Sequence, residues 1–279
     1  ISFRVEPLLL IIPLILMWRK QKKLILIFLF FTFIVALPIG LYFLENPQDF
    51  FGRSSQISIF ASQSPALTLG LNIVKTIGMF FVWGDSNWRH NLSGAPELWW
   101  PVAILFLLGI ITGIKTLIQN SFILLWLVVL LIPAVISSEG LPHALRSIGV
   151  IPAVMILAAI GLEWIIVKVL NWQQKKLERF PAYSRQLTRI RKQLIALLFV
   201  FLTAIAATSF SQYFFRWAGN PRVADAFDEN YVQLGRYLNS LPEDLPKYII
   251  MNCGDNMFCD SPYQHQPPAI MFITKTYIP

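Results

Sequence analysis

Five apolar runs, roughly 24–44, 101–119, 121–137, 148–170 and 194–215, are each long enough to carry an α-helix through about 30 Å of hydrocarbon. No other feature narrows the folds open to this chain as sharply. Charge is correspondingly scarce: 14% of the 279 residues are charged and 56% hydrophobic, where a soluble domain carries about 25% charge. A water-soluble enzyme, a disordered tail and a nucleic-acid binder presenting its +8 net charge on one face are thereby excluded. The second and third runs meet around Lys115 to Asn120 and predict a tight helical hairpin. Pro7 to Trp18 is shorter than a span, and the chain opens on Ile1 with no basic segment leading to a small-residue cleavage site. The expectation is a C-terminal fragment of an all-α polytopic membrane protein, with about six transmembrane helices of which the first is incomplete.

Ala66 to Trp83 is also apolar, but Thr68, Asn72, Lys75 and Thr76 form one polar stripe at helical spacing, which predicts a helix lying in the membrane interface near 66–83. Charge asymmetry favours the same reading. With 66–83 interfacial, the loops bounded by 19–23, Lys115 and 168–192 share one side and hold thirteen Lys and Arg, against four in loops 46–100 and 138–147. The positive-inside rule then puts the first set in the cytoplasm of a multi-pass cytoplasmic (inner) membrane protein. The basic 168–192 segment reads as a solvated loop in preference to an amphipathic helix on anionic lipid.

Residues 217–279 change character, with four basic and seven acidic side chains, and predict a solvated domain outside the cytoplasm beyond a transmembrane domain of 1–216. Asn220-Pro221 is a helix start, and Val223, Phe227, Tyr231, Leu234 and Leu238 continue a helix to about Leu241-Pro242. Lys247 to Asn252 reads as a strand, and Ala269 to Thr276 is open between strand and helix, giving a truncated α/β domain. Cys253 and Cys259 could pair across a short loop. Two thiols with a distant His265 make no tetrahedral metal set, so no metal ligands are assigned.

The spans carry almost no ionisable group at membrane depth, which disfavours an ion-coupled pump. Titratable residues gather instead in two outer loops. Outer loop 84–100 holds Asp85, Arg89, His90 and Glu97 among tryptophans. It is either a substrate-facing loop or an aromatic belt in which Asp85 and Arg89 pair at i,i+4. The second loop, 137–147, brings Glu139, His143 and Arg146 into one short connection, with His143 and Arg146 at i,i+3 on a helix starting after Pro142. An Arg at headgroup depth can fork onto a lipid phosphate and a neighbouring His can add a hydrogen bond, whereas the plain alternative is a Glu139–Arg146 ion pair. Arg53 lies on the same side, where a lone Arg is an ordinary headgroup anchor.

GDSNWRHNLSGAPELWWPVAILFLLGI and PAVISSEGLPHALRSIGVIPAVMILAAIGLEWI, followed by an extracytoplasmic tail, resemble the C-terminal part of bacterial membrane glycosyltransferases of protein mannosyltransferase-like (GT-C) architecture. The likeness covers roughly residues 50 to 275 and is clearest at PHALRSIG. It implies an enzyme that moves a sugar from a polyprenyl-phosphate donor to a protein, lipid or glycan acceptor outside the cytoplasmic membrane. It also implies Arg146 and His143 as carrier-phosphate contacts, with Glu139, Asp85, Arg89, His90 and Arg53 facing substrate. The general base of such enzymes sits in an earlier outer loop, so the resemblance names no catalytic base here, and whether a divalent metal takes part stays open. Trp99-Trp100 is followed by Pro101, not Asp, which disfavours en bloc oligosaccharide transfer. A transporter or flippase for an amphipathic envelope precursor, or a non-enzymatic envelope assembly protein, are the competing readings.

Overall fold

The computed structural model describes residues 6–56, 58–180, 184–242, 244–249 and 268–276. The chain divides into two compact units, Ile1–Thr208 and Ser209–Pro279. The division falls inside the last apolar helix, earlier than the change of composition after Arg216.

The first unit is built from helices α1 (Ile11–Glu45), α2 (Pro47–Gln56), α3 (Pro65–Phe81), α4 (Trp100–Lys115), α5 (Leu117–Val135), α6 (Ile151–Arg179) and α7 (Ser184–Phe210). Three helical stretches are long and apolar enough to cross a membrane: Pro13–Glu45, Leu145–Arg179 and Ser184–Trp217. Pro65–Phe81, Trp100–Lys115 and Asn120–Val135 are shorter apolar helices. Side chains such as Phe31, Phe33, Leu44, Leu197 and Phe199 stand exposed, a surface stable only where hydrocarbon replaces water. The protein is therefore helical and membrane-associated.

One expectation changes at the basic segments. The short run Pro7–Trp18 and the run 24–44 meet within RKQKK, where Gln21 (φ −138°, ψ 37°) leaves helical geometry and kinks α1 between two helical stretches. The 168–192 segment is helical on both sides of residues 181–183, where α6 and α7 run past their apolar stretches. Lys, Arg, Gln and Glu are good helix formers, Gln174 donates to Glu178 at 3.1 Å and Lys176 lies over the Trp172 ring. Solvated charge therefore extends these helices instead of ending them.

The core lies among α3, α4, α5, α6 and the 3₁₀ turn Leu145–Val150, around Met79, Phe106, Leu130, Val150 and Leu157. As the spacing predicts, α4 and α5 form a hairpin joined at Thr116. Helices α4 and α6 approach through glycines: a Cβ at Gly109 would fall on the Leu157 carbonyl oxygen, and one at Gly161 on the Leu105 carbonyl oxygen. Small residues admit this backbone contact between apolar helices, where lipid supplies no hydrophobic drive to pack.

Asn72 and Thr76 of the α3 stripe turn inward, Thr68 is half-buried and Lys75 stays exposed. Asn72 is 4% exposed and donates through Nδ2 to the carbonyls of Val135 (2.8 Å) and Ser137 (2.6 Å). Those carbonyls close the C-terminal end of α5, where helix geometry leaves oxygens without partners. The outward surface of α3 exposes Leu67, Leu71, Val74 and Ile77 together with Lys75. Ser58 and Ser137 form an antiparallel bridge, so α3 is tied at the same end of the bundle as the 137–147 loop.

In the second unit a π-helical segment, Ser211–Trp217, precedes α8 (Pro221–Ala226), α9 (Glu229–Ser240) and α10 (Pro268–Thr274). Asn220 caps α8 by accepting the Arg222 N–H at 3.0 Å. The single helix expected to Leu241 is broken at Asp228, which takes a left-handed φ of 59°, and α9 then ends before Leu241-Pro242. Ala269 to Thr276 resolves largely into α10, which packs on α9 where Ile273 approaches Gly235. No strand occurs among the described residues: Lys247–Ile249 are irregular, and the rest of that expected strand lies outside them, as do Cys253, Cys259 and His265. The α/β expectation is thus not met in the described part, where helix packs on helix.

Candidate functional site

Residues 84–97 form an irregular loop between α3 and α4, pinned to α3 by the Glu97 N–H donating to the Met79 carbonyl at 3.0 Å. Gly94 takes a φ of +74° and returns its N–H to the Asp85 carbonyl at 2.8 Å. Gly84 lies under the loop, where a Cβ would collide with the Ala95 carbonyl oxygen and come within 2.7 Å of Glu97 Oε1. There is no helix here for the Asp85–Arg89 spacing to act on.

Asp85, 3% exposed, is the keystone of this loop. Its Oδ1 accepts the Asn87 N–H at 2.8 Å, and its Oδ2 accepts both the His90 Nδ1–H at 2.7 Å and the Ala144 N–H at 2.9 Å. The last bond crosses to the second loop. His143 Nδ1 lies 3.9 Å from the same Oδ2, and the His143 ring stacks on that of His90 with centroids 4.6 Å apart. The two loops singled out from sequence therefore meet, through one carboxylate and two imidazoles.

His143 and Arg146 do not share a helix face as expected. The connection enters a 3₁₀ turn at Leu145, and His143 turns in toward Asp85 while its Nδ1 accepts the Arg146 N–H at 3.3 Å. Arg146 donates from Nη1 to Ser137 Oγ and to the Glu139 backbone carbonyl, both at 2.6 Å, so it clamps its own loop. Glu139 itself is exposed. Arg53 belongs to α2, and its side chain lies outside the described residues.

Burial pushes His143 down to about 4, with the charges of Arg146 and His90 acting in the same direction and Asp85 opposing them. The ring is neutral near pH 7 and offers a lone pair. Burial also pushes the Glu97 carboxyl up to about 7; the nearby Asp85 charge adds to this, and hydrogen bonds from the Asp85 N–H and the Asn91 side chain partly offset it. Asn91 spends its amide on Glu97 and the Ala95 carbonyl, so the Asn91-Leu92-Ser93 triplet serves the loop.

Sequence reasoning did not single out Glu97 as a site residue; the loop's inward turn, which no local pattern encodes, is what buries it. Because its folded value is raised above the unfolded one, the native state binds the extra proton. Stability from this group is present below about 4.5 and is lost as pH rises toward about 7. Glu97→Gln keeps the acceptor oxygen and removes the charge. Thermal unfolding of the detergent-solubilised variant is expected to match the parent at pH 5 and exceed it at pH 8 by about 1–2 kcal/mol once solvent screening is allowed for. Equal unfolding at both pH values would show that Glu97 carries no such cost.

Beside these residues lies a cleft of about 380 Å³. Arg89, His90 and Glu97 line its polar part, and Met79, Phe80, Ile151, Val154 and Met155 line the rest; Arg146 is not in its wall. Such a cleft suits a ligand with an anionic head and an apolar tail.

No family model matches the chain, and no curated protein or solved structure matches it.

Proposed function

We propose that this protein is an integral membrane glycosyltransferase that takes a sugar from a polyprenyl-phosphate carrier and passes it to a protein, lipid or glycan acceptor at the outer face of the cytoplasmic membrane. About six spans and an extracytoplasmic tail belong to this reading. The cleft beside Asp85 is the observation that carries it: a hydrogen-bonding end that holds Arg89 is continuous with an apolar wall. A prenyl chain gains roughly 0.8 kcal/mol for each methylene buried against such a wall, and the carrier phosphate finds Arg89 at the polar end. As the bond from sugar to phosphate breaks, negative charge grows on the phosphate that leaves, and a guanidinium beside it stabilises that charge more than it stabilises the bound donor.

In this reading Arg89, which lines the cleft, takes the phosphate contact in place of Arg146, which braces the 137–147 loop. Arg89→Ala is expected to lower transfer by roughly 100-fold. The measurement is radiolabelled sugar passed from a polyprenyl-phosphate donor to acceptor in isolated membranes, at matched protein level. Undiminished labelling would remove Arg89 from the mechanism. Carrier movement across the membrane with no new glycosidic bond would favour a flippase, and neither activity would favour an assembly protein.

A further inference from the structure

We infer that Asp85, His90 and His143 form a binding site for one divalent transition-metal ion of the Zn²⁺ class. Asp85 and His90 come from the 84–97 loop and His143 from the 137–147 loop, and one ligating atom from each lies within 4.8 Å of the others. In a tetrahedral site with metal–ligand distances of about 2.1 Å, neighbouring ligand atoms stand about 3.4 Å apart. The distances from Asp85 Oδ2 to the two imidazole Nδ1 atoms, 2.7 and 3.9 Å, straddle that spacing. An ion between them would open the shorter contact, close the longer and turn the His90 and His143 rings out of their stack so that both Nδ1 atoms face it.

The ligand chemistry fits a borderline cation better than Mg²⁺ or Ca²⁺, which prefer all-oxygen cages. Two imidazoles and one carboxylate leave a fourth position open, as catalytic zinc sites do. The carboxylate is already oriented: Oδ1 is held by the Asn87 N–H and Oδ2 by the Ala144 N–H, the outer support that ligating carboxylates require. To ligate through Nδ1, His90 would carry its ring proton on Nε2 and give up its bond to Asp85. Two terms oppose binding: the long Arg146 N–H contact to His143 Nδ1 is given up, and the Arg146 charge lies nearby. The Asp85 carboxylate, 3% exposed and unscreened, supplies the opposite charge. The inference stands apart from the carrier reading, because it needs only the three side chains.

The test uses the complete protein in detergent, stripped with a chelator, desalted and titrated with Co²⁺ and then Zn²⁺. One ion per chain is expected to survive gel filtration, and Co²⁺ should give the intense visible absorption of a four-coordinate nitrogen and oxygen site. His90→Gln, which can still donate to Asp85, and His143→Gln are each expected to weaken binding at least about tenfold. No retained ion, or unchanged affinity in both variants, overturns the site. If a variant fails to fold, the parent's Co²⁺ spectrum decides: weak six-coordinate bands, or thiolate charge transfer from Cys253 and Cys259, overturn it. Metal retained without sugar transfer would leave this site standing and the carrier reading fallen.

Discussion

Asp85→Ala is expected to destabilise the first unit by roughly 3 kcal/mol, because three donors lose the acceptor they share. The carboxylate joins two loops far apart in sequence, and its removal strands the Asn87 and Ala144 N–H groups and the His90 Nδ1–H together. Each buried donor left without a partner costs about 1–3 kcal/mol, and a methyl group accepts from none of them. Denaturant unfolding of the chelator-treated protein in mixed micelles measures the change. Asp85→Asn should fall between, since its side-chain oxygen can replace one acceptor while its amide meets further donors. An unchanged midpoint for Asp85→Ala would mean that the two loops are held together elsewhere.

Gly161→Leu should cost about 3 kcal/mol or more, the upper range for overpacking a filled contact. The new side chain would start at the Leu105 carbonyl oxygen and near the Gly109 amide nitrogen, which are backbone atoms that no rotamer change can clear. Helices α4 and α6 would have to part, opening the core at Phe106 and Leu157. Gly113→Ala is the matched control: its Cβ would meet Leu157 Cδ2 at 3.5 Å and Leu124 Cδ2 at 3.7 Å, ordinary contact distances. That variant is expected to stay within about 0.5 kcal/mol of the parent. Thermal unfolding in the same detergent compares the two, and equal midpoints would show that the α4–α6 contact can slide apart at little cost.

The long helices were legible because hydrocarbon imposes a length and an apolarity that a one-dimensional reading can measure. Their ends were not. Hydropathy stops where charge begins, yet α6 runs to Arg179 because its last turns keep their hydrogen bonds in water as well as in lipid. The α3 stripe shows the converse error. Thr68, Asn72 and Thr76 at helical spacing promise a polar face toward water, but a buried carbonyl at the end of another helix attracts an amide just as strongly. Periodicity locates a face and leaves its neighbour unnamed.

The loops follow the same division. Residue type alone marked Asp85, Arg89, His90, His143 and Arg146 as chemistry-bearing positions in otherwise apolar surroundings. Which of them would meet depended on Gly84 and Gly94 folding one loop inward and on a 3₁₀ turn replacing the expected α-helical turn at Leu145. Those events turned His143 toward Asp85, left Arg146 clamping Ser137 and buried Glu97 at the cleft.

Local order along the chain thus settled the solvent, the helical class and the short list of reactive side chains, since burial of apolar length and scarcity of charge are properties of neighbouring residues. The partners of Asp85, the role of Arg146 and the close approach at Gly109 and Gly161 were set only by packing. The Asp85–Ala144 bond and the glycine contacts join residues roughly 50 to 60 positions apart and Arg146 closes a loop that they position, and such contacts are chosen by the free energy of the whole assembly, which no short window contains.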